Sequence, residues 1–472
     1  MSTQTAFPSK GLALIADPIY DYIPFTVRDA DAPEEVVEED LIDTPWMQRL
    51  RRIHQLQSAR WVYPSAEHSR FQHSLGTMHM AGRFARHLYP GLKALCADTP
   101  SLACFEETFR IAGLLHDIGH GPYGHFFDDH FLSQYNLTHE LLGRDIIVKK
   151  FDSLIAGIRR SPSGPFEKGE SICADDIGYL IKKPPELADE RRPRWLRFMQ
   201  QLFSGIYTVD NLDYVQRDAY MTGFSIDIVD INRLLFYSFF SEQGLTLHQS
   251  GVSAFTRFLN ARLNLYSNVY HHRTGRAIDF HMQEIFAQTM QRLFPWNPAR
   301  KLNQYLHLND WSLIQDVEKW KESDDSELKL LGSEWNKIIG RKVKWKMAYS
   351  TEMTIDRVER GMINFQKPEQ LEEAIREQLP KSIRSKPFCV DLAAQDPRPL
   401  NPMAQSNKRI NIYNPSTDMI SPEPLKDIFR YIPARVVQFR VFALDHRYHA
   451  ELARAAERVF DPAVSESCST NI

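Results

Sequence analysis

The sequence has few cysteines, and they are not arranged as a disulfide or zinc framework requires. Its 472 residues contain five cysteines, an odd number, and no two of them form a CxxC pair. We therefore expect neither a disulfide framework nor a structural zinc ribbon. Scattered thiols are typical of proteins in a reducing cytoplasm, and we expect a cytoplasmic location.

Long apolar runs are also absent from the sequence. The first apolar stretch, residues 11–16, is interrupted by Asp17 and is too short for a signal peptide. No run reaches the roughly 18 apolar residues that a membrane-spanning helix needs. We therefore expect no association with a membrane.

An excess of charge of one sign is missing as well. Fifty-seven Lys and Arg residues against 60 Asp and Glu residues give a formal net charge of -3. This balance provides no global electrostatic reason to bind nucleic acid, so a single-stranded nucleic-acid partner stays open but unsupported. The chain exceeds the usual size of one core, which predicts one large domain plus a smaller one, or a single elaborated domain.

Apolar residues at helical spacing are the main secondary-structure signal. They predict three helices in the N-terminal part of the chain: 43–58, 68–90 and 105–118. Asp43 is a candidate N-cap of the first helix, and Pro90-Gly91 is expected to end the second. The segment 160–195, rich in proline and charge, predicts a loop or an interrupted helix.

The C-terminal part has a different pattern. The β-branched run at 435–443 predicts a strand of a small sheet, and a final helix is expected at roughly 446–460. The expected fold class is therefore mainly α, with a smaller α+β C-terminal region.

Histidine and aspartate residues in three segments carry the chemical signal. His116 and Asp117 end the apolar segment IAGLL, where an unpaired charged aspartate would be costly unless a cation offsets its burial. An isolated His-Asp pair is more often a surface hydrogen bond, but here His73 and Asp210 lie in two further helical segments. Two imidazoles and two carboxylates form a mixed site that suits Mn, Fe, Mg or Zn with positions open for water.

The order of these residues resembles the HD superfamily of metal-dependent phosphohydrolases. Five segments are similar to one family within it, the deoxynucleoside triphosphate triphosphohydrolases: DTPWMQRLRRIHQL, WVYPSAEHSRFQHSLGT, IAGLLHDIGHGPYGH, a later THE and DNLDYVQRDAYMTG. The resemblance covers roughly residues 10–290. It implies an HD-domain helical core at about 41–225, inside a catalytic domain of residues 1–292. A C-terminal α+β region, 293–472, would then be regulatory or oligomerising.

The resemblance implies a role for each residue of the site. Four ligands would hold a catalytic divalent metal ion: His73, His116, Asp117 and Asp210. Three histidines and two carboxylates would form an acid–base group beside them: His120, His125, His139, Asp128 and Glu140. A carboxylate beside a histidine raises the histidine pKa and suits it to protonate a leaving oxygen. His125 is the first candidate for that acid.

In this family, water attacks the α-phosphate of a dNTP, and triphosphate and a deoxynucleoside are released. Arg70 matches an arginine that contacts the phosphates, a role that its planar guanidinium suits. Five residues match positions near the sugar or the base: Gln55, Leu56, Tyr214, Asp218 and Tyr270. Asn211 and Tyr266 depart from a lysine and a histidine of the family pattern, and both changes bear on base preference and triphosphate affinity.

A regulatory nucleotide site is matched in part. Three residues correspond to those that read guanine in nucleotide-activated members: Asp43, Gln48 and Arg51. This implies GTP or a dNTP as an activator. However, Ala13 and Ala16 replace the basic and amide residues expected before the retained Asp17-Pro18-Ile19. Because members of the family assemble, a homo-oligomer is also expected.

Other interpretations stay open on the sequence. Another HD phosphohydrolase, a nucleotidase or phosphodiesterase, would release monophosphate rather than triphosphate. A nucleotide- or nucleic-acid-binding protein with a vestigial HD site would bind single strands without turnover, although the complete ligand set argues against it. Asp213 and Asp218, which flank Arg217, are also consistent with a plain intrahelical charge network. The run RLRR, 49–52, is more typical of a solvated helix face, with Arg51 as the exception.

Overall fold

The computed structural model describes residues 10–29, 32–182, 192–205, 207–225, 228–355, 367–395, 410–421, 432–433 and 435–460. The chain divides into two compact units, each made of stretches that are separate in sequence. Unit 1 comprises 1–261, 290–316 and 409–423, and unit 2 comprises 262–289, 317–408 and 424–472. The domain boundary placed at 292 stays a prediction.

The fold is mainly α with a smaller β-containing C-terminal region, as predicted. The α-helices of the described residues are α1 (Glu38–Ile42), α2 (Pro45–Arg49), α3 (Arg70–Leu95), α4 (Leu102–Leu115), α5 (His125–His130), α6 (His139–Ile146), α7 (Asp152–Gly157), α8 (Ala174–Ile181), α9 (Arg194–Ser204), α10 (Val209–Met221), α11 (Ile231–Phe236), α12 (Val252–Leu265), α13 (Arg273–Leu293), α14 (Leu302–Tyr305), α15 (Asp310–Trp320), α16 (Ser326–Ile339), α17 (Pro368–Gln378) and α18 (His449–Phe460). Over the same residues, the strands are β1 (Leu12–Asp17), β2 (Asp21–Thr26), β3 (Arg160–Ser161), β4 (Gly164–Pro165), β5 (Ser238–Ser241), β6 (Gly244–His248), β7 (Lys346–Ile355), β8 (Phe388–Gln395), β9 (Asn411–Asn414), β10 (Met419–Ser421) and β11 (Arg435–Ala443). None of the helices in these ranges is both long enough and apolar enough to cross a membrane.

Helices α3 and α4 pack together in unit 1 and position the HD pair. A side chain at Gly113 of α4 would place its Cβ 2.8 Å from the Thr77 backbone oxygen of α3, so the close approach of the two helices requires glycine here. Ser101 caps α4 by accepting a hydrogen bond from the Cys104 backbone N–H at 3.3 Å. The predicted helix at 105–118 is thus confirmed, with bounds about three residues earlier, and His116 follows directly on its last residue.

Two of the predicted helix bounds are wrong. Helix α3 continues through Pro90 to Leu95, because burial of Leu88 and Leu92 on either side offsets the backbone hydrogen bond that proline removes. The helix predicted at 43–58 is much shorter. It is α2, capped by Thr44 rather than Asp43, and it ends in a single 3-10 turn at residues 50–52.

The short α2 has a consequence for the site. After the 3-10 turn, the backbone pairs with the chain that leads into α3: the Gln55 N–H donates to the His68 carbonyl at 3.0 Å, and the Arg70 N–H donates to the Ile53 carbonyl at 2.9 Å. This pairing competes with helix formation and places Gln55 beside the start of α3. The segment predicted as loop or interrupted helix, 160–195, contains α8 and the short strands β3 and β4.

Unit 1 also contains a four-stranded sheet with the order β10-β9-β6-β5. The hairpins β5–β6 and β9–β10 are antiparallel, and the parallel pair β6–β9 joins them, with Leu247 opposite Ile412. Unit 2 contains the antiparallel sheet β7-β11-β8.

Strand β11 confirms the strand predicted at 435–443, and α18 confirms the final helix. Val437, Phe439 and Val441 of β11 lie in one apolar cluster with residues of α17 and α18, at the period of two that places alternate residues on one face of a strand. On the opposite face, Arg440 is paired with Asp391 at 3.1 Å.

Candidate metal centre and adjoining histidine cluster

Four side chains converge in unit 1 and are named here the metal centre: His73, His116, Asp117 and Asp210. The Nε2 atoms of His73 and His116 are 3.1 Å apart, and Asp210 Oδ1 lies 3.0 Å from the first and 3.6 Å from the second. Asp117 Oδ1 lies 3.3 Å from His116 Nε2. Two donors that bind one ion at about 2.1 Å stand roughly 3 to 3.5 Å apart, so this spacing fits a single divalent metal ion.

The two imidazoles are held with the same nitrogen facing the centre. His73 Nδ1 is 2.7 Å from Asp213 Oδ2, and His116 Nδ1 is 2.8 Å from the Gly113 carbonyl. These partners make Nδ1 the hydrogen-bond donor of each ring and leave Nε2 with its lone pair toward the centre. That tautomer is the one a metal ligand requires.

Asp213 is anchored by a buried network. The Arg217 guanidinium donates to both Asp213 oxygens at 2.9 Å, and the Tyr20 hydroxyl donates to Oδ1 at 2.8 Å. Arg217 also donates to Asp17 at 2.8 Å. Of the intrahelical charge network that the sequence left open, the pair of Arg217 with Asp213 is present, whereas Asp218 lies against His68. Asp213 also holds His73, a function that sequence reasoning missed. The signal was available in the spacing of Asp210 and Asp213, three residues apart on one helix face.

The electrostatics of the metal centre favour a cation. Burial lowers the pKa of His73, but hydrogen bonds to Asp210 and Asp213 outweigh it and raise that pKa to about 10. Burial raises the pKa of Asp117, but the His116 and Arg70 charges outweigh it and hold that pKa well below the usual value. The carboxylates thus stay ionised and stabilise positive charge between them. A divalent ion would supply that charge, so the residues fit the metal that their pattern predicted.

We expect Asp213→Asn to lower both metal affinity and hydrolytic rate by about 10- to 100-fold, because the amide orients His73 less strongly. Metal affinity measured by isothermal titration calorimetry separates this positioning role from a purely structural one. Asp129→Asn, at an exposed position of α5, is the control that should change neither quantity. A folded Asp213→Asn protein with unchanged metal affinity would show that Asp213 does not position His73.

Arg70 lies beside the metal centre, as its predicted contact with phosphate requires. Its Nη1 donates to Asp117 Oδ2 at 2.7 Å, and its side chain is buried. Gly124, at φ +56°, makes room for it: a Cβ there would lie 2.4 Å from Arg70 Nη2. A buried guanidinium next to a metal ligand is placed to balance the charge of a bound anion.

A second group, the histidine cluster, adjoins the metal centre: His120, His125, Asp128 and His139. His120 Nε2 lies 3.4 Å from Asp117 Oδ1, and its ring stacks on that of His139 with centroids 3.7 Å apart. His139 Nδ1 donates to Asp128, which also has His125 Nδ1 at 3.7 Å. Burial and the Arg70 charge hold the pKa of His120 well below its usual value, so that ring is neutral.

His125 differs from the rest of the cluster in its exposure. Its side chain is 69% exposed, whereas those of His120 and His139 are 1% and 15% exposed. It begins α5 directly after Gly124. A histidine that is held near a carboxylate and open to solvent has access to a ligand, which suits the acid role predicted for His125.

The residues predicted near the sugar and base are distributed as follows. The Tyr214 ring lies 6.4 Å from the His73 ring, and Leu56 is buried. Gln55 Oε1 is buried and has no hydrogen-bond partner among the described residues. Asp218 Oδ1 lies 2.8 Å from His68 Nε2. Tyr270 belongs to unit 2, and its role stays a prediction.

Glu140 and the predicted regulatory residues make other contacts. The Glu140 carboxylate accepts from Lys182 Nζ at 3.1 Å and from the Thr138 hydroxyl at 2.9 Å. Arg51 Nε donates to Gln48 Oε1 at 2.8 Å on the surface, and Asp43 is exposed at the end of α1. A catalytic role for Glu140 and a guanine-reading role for the other three stay predictions.

Arg49 is a residue that sequence reasoning missed. The run 49–52 was interpreted as a solvated face, but Arg49 is only 3% exposed. Its guanidinium donates to the His120 carbonyl at 2.7 Å and to the Leu308 carbonyl at 2.7 and 3.0 Å. It thereby ties the backbone of the histidine cluster to a segment far away in sequence. No local pattern in the run distinguishes Arg49 from its neighbours.

Comparison with known proteins agrees with this site. Residues 70–184 match the HD domain model, and residues 229–462 match the model of the HD associated region. The first match spans α3 to α8 and contains every residue of the metal centre except Asp210. The histidine cluster also falls within it.

Similar proteins include two that are named as deoxynucleoside triphosphate triphosphohydrolases. One is the SAMHD1 homolog of Dictyostelium discoideum. It is 27% identical to this chain over a region that covers 60% of this chain and 52% of the relative's own length. The other is SAMHD1 of Gallus gallus. It is 30% identical to this chain over a region that covers 57% of this chain and 44% of the relative's own length. This chain therefore spans about half the length of these two relatives.

Two further proteins match more of their own length. The uncharacterized protein YwfO of Bacillus subtilis is 28% identical over 68% of this chain and 70% of its own. A crystal structure of a hypothetical protein from Aquifex aeolicus superposes on this chain with a TM-score of 0.66. The superposition covers 94% of this chain and 99% of the other, and the two sequences are 22% identical. The two proteins therefore share a fold. The present chain is a member of the HD-domain superfamily, with an HD domain followed by an HD-associated region.

Proposed function

We propose that this protein hydrolyses deoxynucleoside triphosphates to a deoxynucleoside and inorganic triphosphate, in a reaction that needs a divalent metal ion. The observation that carries the proposal is that the metal centre and the histidine cluster adjoin each other: Asp117 Oδ1 of the metal centre lies 3.4 Å from His120 Nε2 of the histidine cluster. Water activation and proton donation are thereby available within one site. The substrate class rests on the names of the two triphosphohydrolase relatives.

The metal centre would hold the ion through its four side chains: His73, His116, Asp117 and Asp210. A bound divalent ion polarises phosphate oxygens and lowers the pKa of water, which is the chemistry that an attack on phosphorus needs. Asp210 has the most exposed side chain of the four, at 37%, and this leaves the centre open on that side. Its nitrogen and oxygen donors suit Mn, Fe, Mg or Zn.

The other side chains would act on the phosphates and on the leaving group. Arg70 neutralises phosphate charge beside Asp117. Water adds to the α-phosphorus, the bond from phosphorus to the 5′ oxygen breaks, and that oxygen needs a proton to leave as a hydroxyl. His125 is the proposed donor, because it is exposed and its Nδ1 lies 3.7 Å from the Asp128 carboxylate, which is near enough to orient the ring.

We assign the selection of a deoxyribose to Tyr214, whose ring lies near that of His73. We assign the selection of the base to Gln55, whose buried Oε1 has no hydrogen-bond partner among the described residues. An aromatic ring packed on the 2′ carbon leaves no room for a 2′-hydroxyl. The unpartnered Gln55 oxygen would accept a hydrogen bond from an exocyclic amine or a ring N–H. A site with a buried, unpaired polar atom strongly favours a ligand that hydrogen-bonds to that atom over a ligand that cannot.

The test is product analysis. The protein is incubated with each dNTP and each rNTP, with Mn²⁺ or Mg²⁺, with and without GTP, and the products are separated by anion exchange. We expect triphosphate and deoxynucleoside from dNTPs and no products from rNTPs. Stimulation by GTP would support the regulatory roles of Asp43, Gln48 and Arg51. Release of monophosphate would instead favour a nucleotidase, and the absence of any product from a metal-loaded protein would reject the proposal.

A further inference from the structure

The loop that carries the histidine cluster is in contact with a segment far from it in sequence. We name residues 119–125 the histidine loop, which joins the HD pair to helix α5 and contains His120 and His125. We name residues 305–310 the clamp segment. Both belong to unit 1, but the histidine loop falls within the HD domain match and the clamp segment within the match to the HD associated region. The clamp segment thus brings a second region of the sequence to the site.

Two links join the clamp segment to the start of the histidine loop. The Tyr305 hydroxyl donates to the Gly119 carbonyl at 2.8 Å. Arg49 forms the second link, because its guanidinium donates to the His120 carbonyl at 2.7 Å and to the Leu308 carbonyl at 2.7 and 3.0 Å. Tyr305 and Arg49 are 0% and 3% exposed, so the low local dielectric strengthens these hydrogen bonds. The backbone of two consecutive loop residues is therefore held by buried side chains.

The third link, from Asp310, fixes the turn that leads into His125. Asp310 Oδ1 accepts the Tyr123 backbone N–H at 2.8 Å, and its Oδ2 accepts the His54 backbone N–H at 2.9 Å. Tyr123 adopts a left-handed φ of 62°, and Gly124 follows at 56°. A bulky residue in this conformation is strained, and it persists where the surroundings impose it. The Asp310 carboxylate is one such constraint, and it acts two residues before His125.

The side chains of the clamp segment are placed to support the loop rather than to bind a ligand. Tyr305 and Asp310 are buried, and the hydrogen bonds described for them end on backbone groups or on the buried His54 ring. A general acid must stand within about 2.6–3.2 Å of the oxygen that it protonates, and a misplacement of about one ångström can cost a factor of about 100 in rate. The position of the loop backbone therefore bears directly on proton donation by His125.

We propose that the clamp segment positions the general acid of the reaction, with Tyr305 and Asp310 as positioning residues that hold the histidine loop and thereby His125. This inference rests on the proposed function, in which His125 protonates the 5′ oxygen as the bond from that oxygen to phosphorus breaks. The neutral imidazole then regains a proton from solvent, to which its side chain is 69% exposed. Tyr305 and Asp310 exchange no proton with the substrate. A segment of the HD-associated region thus completes the active site of the HD domain.

The first experiment compares steady-state kinetics of the full-length variants. Tyr305→Phe removes only the hydroxyl that holds the Gly119 carbonyl. We expect kcat for triphosphate release to fall by about 10- to 100-fold and KM for the dNTP to change less than about twofold, because a misplaced general acid slows the chemical step and leaves substrate binding intact. The matched control is Tyr89→Phe, which removes a hydroxyl that donates to the Pro100 carbonyl at 3.0 Å, before the start of α4. It should change neither quantity.

Two further measurements separate positioning of the acid from a general loss of structure. In a His125→Gln background, Tyr305→Phe should cause no further fall in kcat, because the group that it positions is gone. A 5′-thio analogue of the dNTP releases a thiolate, which needs no proton to leave, so Tyr305→Phe should hydrolyse it within about threefold of the wild-type rate. Equal losses with the two substrates, or independent losses in the double variant, would show that Tyr305 does not act through His125.

Amide hydrogen exchange tests the clamp segment without any activity. Asp310→Ala removes the acceptor of the Tyr123 N–H, and exchange at that amide should become at least about tenfold faster. Asp325→Ala, at the exposed N-cap of α16, is the control that should leave it unchanged.

Circular dichroism verifies the fold of each variant, and Tyr305→Phe decides the proposal if Asp310→Ala does not fold. Unchanged exchange in folded Asp310→Ala, or faster exchange with a wild-type kcat, would overturn the proposal. A wild-type protein that hydrolyses no dNTP would reject the proposed function, and loss of protection at Tyr123 in Asp310→Ala would still support the hold of the clamp segment on the loop.

Discussion

Asp117→Asn is expected to lower the rate of dNTP hydrolysis by about a thousandfold or more. Asp117 is buried between His116, His120 and Arg70, so its charge acts on the metal centre, the histidine cluster and the Arg70 guanidinium together. Loss of this carboxylate removes a metal ligand and leaves the Arg70 guanidinium without its partner. Metal catalysis is worth several kcal/mol, and each 1.4 kcal/mol is a factor of about ten in rate.

The measurement is the steady-state rate at saturating dNTP and metal, together with the bound metal content. The side chain of Asn has nearly the same shape as that of Asp, so the folded state should be retained and circular dichroism will verify it. Asp129→Asn again serves as the control. A folded Asp117→Asn protein with near wild-type activity would exclude Asp117 from the metal centre.

Arg217→Met is expected to have the largest effect on stability, a loss of about 3–5 kcal/mol in the free energy of unfolding. Arg217 is fully buried and pairs with Asp213 and Asp17, whose side chains are 0% and 6% exposed. Its removal leaves two buried carboxylates without their common partner, and breaking a buried ion network in this way is strongly destabilising. The network outweighs burial in raising the pKa of Arg217 further above its usual value.

Chemical denaturation with two spectroscopic probes measures this effect. The control is Arg194→Met, which breaks the ion pair of Arg194 with Glu242. Their side chains are 40% and 70% exposed, so this variant should lose far less stability than Arg217→Met. Equal denaturation midpoints for the two variants would show that the buried network contributes no more than a surface pair.

The parts of the site that the sequence could predict are those encoded locally. His116 and Asp117 end an apolar helix, and that segment alone places them at its C-terminal end. His73 and Asp210 were added from two further helical segments, and the resemblance to a family supplied the roles of the ligands and of the histidine cluster. The β-branched run at 435–443 likewise predicted β11, because β-branched and aromatic residues pack well on the pleated surface of a strand.

What could not be predicted depends on contacts between distant segments. The parallel pair β6–β9 joins residues 246–248 to residues 411–413, and no short-range pattern encodes such a pairing. Arg49 resembles its neighbours in the run 49–52 until the His120 and Leu308 carbonyls surround it. The length of α2 was overestimated for the same reason, because the backbone that follows it pairs with the chain before α3.

The measurement that tests the central claim most directly is hydrolysis of a dNTP in ¹⁸O-labelled water. Attack on the α-phosphorus with protonation of the 5′ oxygen predicts that the label enters the triphosphate and that the deoxynucleoside stays unlabelled. Omission of the divalent metal should abolish both products. Label in the deoxynucleoside, or release of labelled monophosphate or pyrophosphate in place of triphosphate, would contradict the account.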